Sequence, residues 1–169
     1  MHNKIIFAKA YSLHVEQVYR YVLSRVENTQ AAEDITAETF LAALEHYDNF
    51  RGKGTLAAWI FGIARHKIAD YFRSNQIAPS LEVASDVAST EPSPLQEVQF
   101  QIELEQVLQG LQRLSPDRVD ALTLHIFGEL SIIETSQVLG KSEAAARMLI
   151  YRAVQDLKAL LTEQEGIEK

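Results

Sequence analysis

The sequence predicts an all-α protein of two small helical domains joined by an acidic flexible linker. Three observations lead there. Apolar residues recur at three- and four-residue spacing in two blocks of the chain. Between those blocks, from residue 74 to 94, the periodicity disappears and Ser, Ala, Pro and acids take over. No segment alternates apolar and polar residues as a half-buried strand does. The expected division is a first domain over 1–76, a linker over 77–94 and a second domain over 95–169. A length of 169 residues suits two small domains, and 47% hydrophobic residues suits globular protein.

The first helix is expected over about 5–26, with Ile6, Ala10, Leu13, Val18, Tyr21 and Val22 on its apolar face. Asn28-Thr29 reads as a stop and a new start, with Glu33 and Asp34 in the first turn of the next helix. That helix runs to about Tyr47 and buries Ile35, Phe40, Leu41 and Leu44. A loop follows, with two glycines in Gly52-Lys53-Gly54. Thr55 can cap a third helix to about Arg73, whose apolar residues are Leu56, Trp59, Ile60, Ile63, Ile68 and Phe72.

Helical pattern returns at Leu95, Val98, Ile102, Val107, Leu108 and Leu111. Ser115-Pro116-Asp117 supplies a cap, a proline for the first helical position and an acid for the first turn of a helix ending at Gly128. Ser131 and Glu134 have capping-box spacing for a short helix that stops at Gly140. Ser142 then caps a long helix to about Leu161. A short helix, a tight turn and a longer helix make a helix-turn-helix.

The chain has no cysteine, so disulfides and thiolate metal sites are excluded. No run approaches the ~18 apolar residues that cross a bilayer, and the N-terminus lacks a cleavable signal pattern. The expectation is a soluble cytoplasmic protein with no membrane partner. A net charge of −7 argues against nucleic acid until it is divided. Residues 1–78 carry nine Lys/Arg against eight Asp/Glu, residues 79–112 none against six, and residues 113–169 seven against nine. The acidity therefore sits in the middle, and the flanking parts are near neutral.

In a helix-turn-helix the second helix lies in the major groove with its first turns nearest the bases. The residues placed there are Ser142, Glu143, Ala145, Arg147 and Met148, with Tyr151 and Arg152 a turn further on. Arg147 can reach guanine edges or phosphate, and Arg152 suits phosphate. Spacing alone leaves open a plain helical hairpin whose third helix merely packs. A second candidate surface joins Arg51 and Lys53 of the loop to Arg65, Lys67 and Arg73 of the third helix, with Phe50, Trp59, Phe61 and Tyr71 as available aromatics. Cations track phosphates and exposed rings stack on unpaired bases. Core aromatics and an ordinary solvated face are the other reading of the same residues.

Two runs carry a family resemblance. Asp34-Ile35-Thr36-Ala37-Glu38-Thr39-Phe40-Leu41, followed by Phe50-Arg51-Gly52 and then Trp59-Ile60-Phe61-Gly62-Ile63-Ala64-Arg65, resembles region 2 of the extracytoplasmic-function (ECF) group of sigma-70 factors. Leu114-Ser115-Pro116, Gly128-Glu129-Leu130-Ser131 and Val138-Leu139-Gly140-Lys141-Ser142-Glu143 resemble region 4, in the right order. The departures are Ala37, where the family usually has Gln, and a recognition helix in which Met148, Leu149, Gln155 and Asp156 stand where many relatives are more basic.

The resemblance implies a subunit that joins core RNA polymerase and directs promoter-specific initiation, with no cofactor. It implies docking on the polymerase β′ coiled coil through Asp34, Glu38, Phe40 and Leu41, with a further contact at the β flap. It implies recognition and melting of the −10 element by Arg51, Lys53, Trp59, Arg65, Lys67 and Arg73. The −35 element would fall to Ser142, Glu143, Ala145, Arg147, Met148, Tyr151 and Arg152, and a separate anti-sigma factor is a further implied partner. The acidic linker would thread the polymerase's RNA path, or serve as a plain spacer. Two other readings stay open: a stand-alone helix-turn-helix regulator, and a sigma-like protein that binds polymerase but has reduced promoter recognition. No enzyme is expected, because the five histidines (2, 14, 46, 66, 125) show no metal-ligand spacing and no phosphate loop is present.

Overall fold

The structure, a computed structural model, describes residues 2–75 and 94–167. The expected linker therefore lies outside the described residues, apart from Pro94. Among the described residues there are seven α-helices, one 3-10 turn and no strand.

Helices α1 (His2–Val26), α2 (Thr29–Glu45) and α3 (Leu56–Ser74) pack against one another. The buried face of α1 passes through Phe7, Ala10, Val18, Tyr21 and Val22. Ile6 and Leu13, expected on that face, are 36% and 56% exposed. The stripe is turned by one residue because Phe7 is the anchor, set edge-on to Phe40 at 6.4 Å and to Tyr47 at 6.5 Å.

Glu27 ends α1 in the left-handed conformation at φ +53°, unusual for a residue with a Cβ. Asn28 then caps α2 by accepting from the Ala31 N–H at 2.8 Å. Because α2 begins at Thr29, Glu33 and Asp34 fall in its second turn, not its first as expected. Leu41 and Leu44 were expected in the core but are 56% and 45% exposed. The inward arc of α2 is instead Ala32, Ile35, Thr36, Thr39, Phe40 and Ala43. Thr36 and Thr39 tolerate burial because their hydroxyls donate to the Ala32 and Ile35 carbonyls, each at 2.7 Å. Thr55 caps α3 as expected, accepting from the Ala58 N–H at 3.1 Å.

In the second half, α4 (Pro94–Gln112), α5 (Pro116–Ile126) and α6 (Ile132–Leu139) all pack on α7 (Glu143–Ile167). The expected capping box is present: Glu134 N–H donates to Ser131 Oγ at 3.1 Å, and Ser131 N–H donates to Glu134 Oε2 at 2.9 Å. Gly140, at φ +63°, stops α6, and the Lys141 N–H returns to the Ser136 carbonyl at 3.0 Å to close the turn. Ala146 and Ala153 are fully buried, so α7 lies close to its neighbours. That helix continues past the expected end at Leu161.

The sequence left open whether the halves touch. They share one apolar core, in which Ala121, Leu124, Leu130 and Leu139 join the buried residues of α1–α3. A second cluster of Leu111, Leu114, Val119, Leu122 and Ala153 holds the C-terminal half together. Phe61 of α3 is fully buried at the junction and lies against Gly128. No helix among the described residues is long and apolar enough to cross a membrane.

Two glycines test this packing in opposite directions. A Cβ on Gly128 would sit 2.5 Å from the Leu124 carbonyl oxygen and 2.9 Å from the Phe61 ring. Gly62, inside α3, has nothing within 4 Å of such a Cβ. Gly128→Ala is expected to destabilise by about 1–3 kcal/mol, and Gly62→Ala to stabilise by about 0.5–1 kcal/mol. Urea unfolding monitored by circular dichroism reads both, and shifts of the same sign would contradict the packing described.

Candidate nucleic-acid interface

The first turns of α7 form an outward face. The Ser142 Oγ accepts from the Ala145 N–H at 3.1 Å, so this side chain is engaged as a cap. Glu143, Arg147 and Tyr151 follow along one row, and Ala144, Met148 and Arg152 along the next. Met148 is 46% and Tyr151 60% exposed. Arg147 donates to Glu143 at 3.0 Å, one turn earlier. This exposed ion pair is worth little, and a phosphate or base edge can compete for the guanidinium. Ala145 is half-buried and leaves the backbone close to the surface. The hairpin is braced from behind by Arg118–Asp156, between α5 and α7, and by Lys141–Asp117 at 3.5 Å.

The residues expected to read the −10 element do not share one surface. Helix α3 presents two faces besides its buried one. Trp59, Gly62, Ile63 and His66 look toward α6, whereas Lys67, Asp70 and Tyr71 look toward α2. Lys67 Nζ lies 3.7 Å from Glu38, and Arg73 pairs with Asp70 at 3.2 Å. Lys67 therefore lies in a groove of about 340 Å³ with Asp34 and Glu38, residues expected at the polymerase contact. Arg51 and Lys53 are exposed in the loop. The Trp59 ring lies 5.4 Å from that of Phe50 and borders a groove of about 320 Å³, closed on its far side by Gln137 and Val138 of α6.

Phe40 requires a correction. It is 4% exposed, packed edge-on against Phe7 and Tyr11, and cannot offer its ring to a partner. The exposed residues of α2 include Asp34, Glu38, Leu41 and Leu44.

Arg65 has the least expected environment. Its Nε donates to Asp120 of α5 at 2.6 Å. The same carboxylate accepts from the Tyr21 hydroxyl at 3.0 Å and lies 3.3 Å from Arg25 Nε. Burial alone would lower the Arg65 pKa, but the hydrogen bond and charge of Asp120 outweigh it and hold the group above its ordinary value. Burial first, and the adjacent Asp120 second, push the Tyr21 phenol well above 10. Sequence reading missed Asp120 and Arg25. The signal available was an acid directly before the apolar Ala121 and Leu122 of α5.

A second link joins the halves at Thr55, whose hydroxyl donates to Glu134 Oε1 at 2.8 Å. Burial raises the Glu134 pKa, but bonds from Ser131 and Thr55 outweigh it and leave the carboxyl below 4.5. Burial lowers His14 below 6.5, partly offset by the charge of Glu134. For Glu134, the stabilisation is present above 4.5 and is lost as pH falls through the lower folded value. For His14, the folded chain resists a proton that the unfolded chain takes, so stability also falls as pH drops below 6.5. Acid is therefore expected to lower the urea midpoint, with Glu134→Gln flattening the part of the profile below 4.5. An acid limb identical in the variant would remove Glu134 from this account.

Comparisons with known proteins identify the two halves of the chain. The sequence profile of Sigma-70 region 2 matches residues 10–77, and that of Sigma-70 region 4 matches residues 104–157. The chain is 38% identical over 160 residues to the ECF RNA polymerase sigma factor BldN of Streptomyces coelicolor, covering 92% of this chain and 60% of BldN's own length. It is 34% identical over 155 residues to the ECF RNA polymerase sigma factor SigM of Bacillus subtilis, covering 89% of this chain and 91% of that protein. Among solved structures, CnrH in complex with the cytosolic domain of CnrY has the same fold, with a TM-score of 0.72 at 23% identity over 95% of this chain and 90% of that one. The sigma factor RpoE in complex with the anti-sigma factor NepR, from Bartonella quintana, gives 0.73 at 21% identity over 92% and 96%.

Proposed function

The chain belongs to the ECF group of the sigma-70 family of RNA polymerase sigma factors, and on that premise we propose how its surfaces divide the work of promoter-specific initiation. The observation that carries the division is the outward, lightly held face of α7, together with a separate acidic and apolar face on α2.

The α7 face reads the −35 element as duplex. Arg147 exchanges Glu143 for a base edge or phosphate, Tyr151 and Met148 supply apolar contact, and Arg152 sits on the backbone. Ser142 shapes the turn and Ala145 permits close approach. On α2, Leu41 buries apolar area against the polymerase β′ coiled coil while Asp34 and Glu38 meet its cations. Phe40 supports this face from beneath. Arg51, Lys53, Trp59 and Arg65 hold the −10 strand, with the indole as a stacking platform for an unpaired base. Lys67 and Arg73 border the α2 groove and act on the polymerase side. The region 4 domain meets the β flap, and an anti-sigma factor is the proposed regulator. RpoE, which has this fold, was solved with the anti-sigma factor NepR.

Run-off transcription with core polymerase on a genomic library is expected to give new start sites only when the chain is added. Arg147→Ala is expected to lower initiation about tenfold or more at promoters that need the −35 element, the loss of one good base contact. Equal loss on templates lacking that element would remove Arg147 from this role. Leu41→Asp is expected to abolish co-elution with core polymerase while leaving the helical spectrum intact. Normal assembly by that variant would mean that the docking face lies elsewhere.

One observation favours a second reading. The outward rows of α7 carry two cations, Arg147 and Arg152, and the first is shared with Glu143. A chain that binds core polymerase without generating specific start sites would match a sigma-like protein with reduced promoter recognition.

A further inference from the structure

The contacts that pack the two halves together also cover the face that would read single-stranded DNA. Asp120 lies at their centre, 7% exposed. One carboxylate oxygen takes the Tyr21 hydroxyl at 3.0 Å and faces Arg25 Nε at 3.3 Å, and the other takes Arg65 Nε at 2.6 Å. The Arg25 Nε–H is buried with no hydrogen-bond acceptor of its own, so the cradle keeps a donor that a carboxylate does not satisfy. Two guanidiniums and a phenol converging on one anion is a grouping suited to a phosphodiester, which can turn an oxygen toward the Arg25 Nε–H that the tethered Asp120 carboxylate leaves unmet.

Other contacts hold the two halves together along the same junction. Gln137 and Val138 close the groove beside Trp59. Gly54, at φ +80°, lies so close to Gln137 that a Cβ there would be 2.5 Å from its Oε1. Thr55 is bonded to Glu134, and Gln17 donates to Glu129 at 3.1 Å.

We propose that Tyr21, Arg25 and Arg65 form a binding site for a DNA backbone phosphate, and that Asp120 occupies this site in the free chain as a built-in competitor. The chain is then self-shut. When the halves separate, Asp120 leaves with α5, and the strand displaced at the promoter takes its place on the two arginines. DNA and Asp120 exclude one another, so anything that separates the halves raises affinity for single-stranded DNA. The identity of the DNA as promoter rests on the sigma-factor reading, whereas the cradle and its competitor rest on the contacts above.

Trp59 is the only tryptophan of the chain and borders the junction, so its fluorescence reports opening. In Asp120→Asn, the emission is expected to shift to the red and become more accessible to acrylamide, with helicity retained. Binding of a fluorescein-labelled 20-nucleotide single strand is expected to tighten about fivefold or more. Its salt dependence should steepen by about 0.7–1.4 in log–log slope, the release of one or two further counterions. Adding Arg25→Gln should reverse both gains. Unchanged affinity in a folded Asp120→Asn chain would overturn the proposal.

A second arm does not depend on that variant folding. The chain has no cysteine, so Gln17→Cys with Glu129→Cys introduces the only two thiols, at touching side chains on opposite sides of the junction. Joining them with a short, reducible bis-maleimide is expected to cut single-strand binding and run-off transcription about tenfold, and reduction should restore both. Full activity of the joined protein would sink the self-shut state. Absence of specific transcripts from the unjoined variant, with single-strand binding still sensitive to the linkage, would instead count against the sigma reading alone.

Discussion

The carboxylate of Asp120 is the contact on which the arrangement of the two halves turns. It brings three donors from α1 and α3 to one residue of α5, beside the apolar core that the two halves share. Removing such groups from water is costly, and the cost is offset by the hydrogen bonds from Tyr21 and Arg65 and by the nearby charge of Arg25. An apolar interface tolerates sliding, whereas this one has a register set by directional bonds. Phe61 against Gly128, Thr55 on Glu134 and Gln17 on Glu129 fall into place around that register.

The same economy appears along α3. A helix turns about 100° per residue, so one element presents several faces, and this one uses three. Ile60, Phe61, Ala64 and Ile68 go inward, Trp59, Ile63 and His66 look toward α6, and Lys67, Asp70 and Tyr71 look toward α2. Basic residues close in sequence thus serve different neighbours. Arg65 meets Asp120 while Lys67, two residues later, meets Glu38.

Much of the local structure was legible in advance because its causes are local. Asn28, Thr55 and Ser142 each cap the helix expected of them, and Ser131 with Glu134 closes a capping box. Gly140 stops α6 because a left-handed turn suits a residue without a Cβ. Errors arose where tertiary neighbours decide. Periodicity placed Phe40, Leu41 and Leu44 all in the core, and the family resemblance placed Phe40 and Leu41 at the polymerase contact; Phe40 is buried, whereas Leu41 and Leu44 are exposed. The unbroken apolar run from Phe40 to Leu44 leaves the rotation of this part of the helix undetermined, and here the rings of Phe7 and Tyr11 settle it.

What the sequence determined by itself was the set of helices, several of their caps and the family, since capping chemistry, apolar period and motif order are written within short stretches of chain. Only the tertiary structure decided that the two halves share a core, and that Arg65 faces a carboxylate 55 residues further along. A buried ion cluster depends on groups that approach from separate elements. Neither Asp120 nor Arg25 stands out until α1, α3 and α5 are placed side by side.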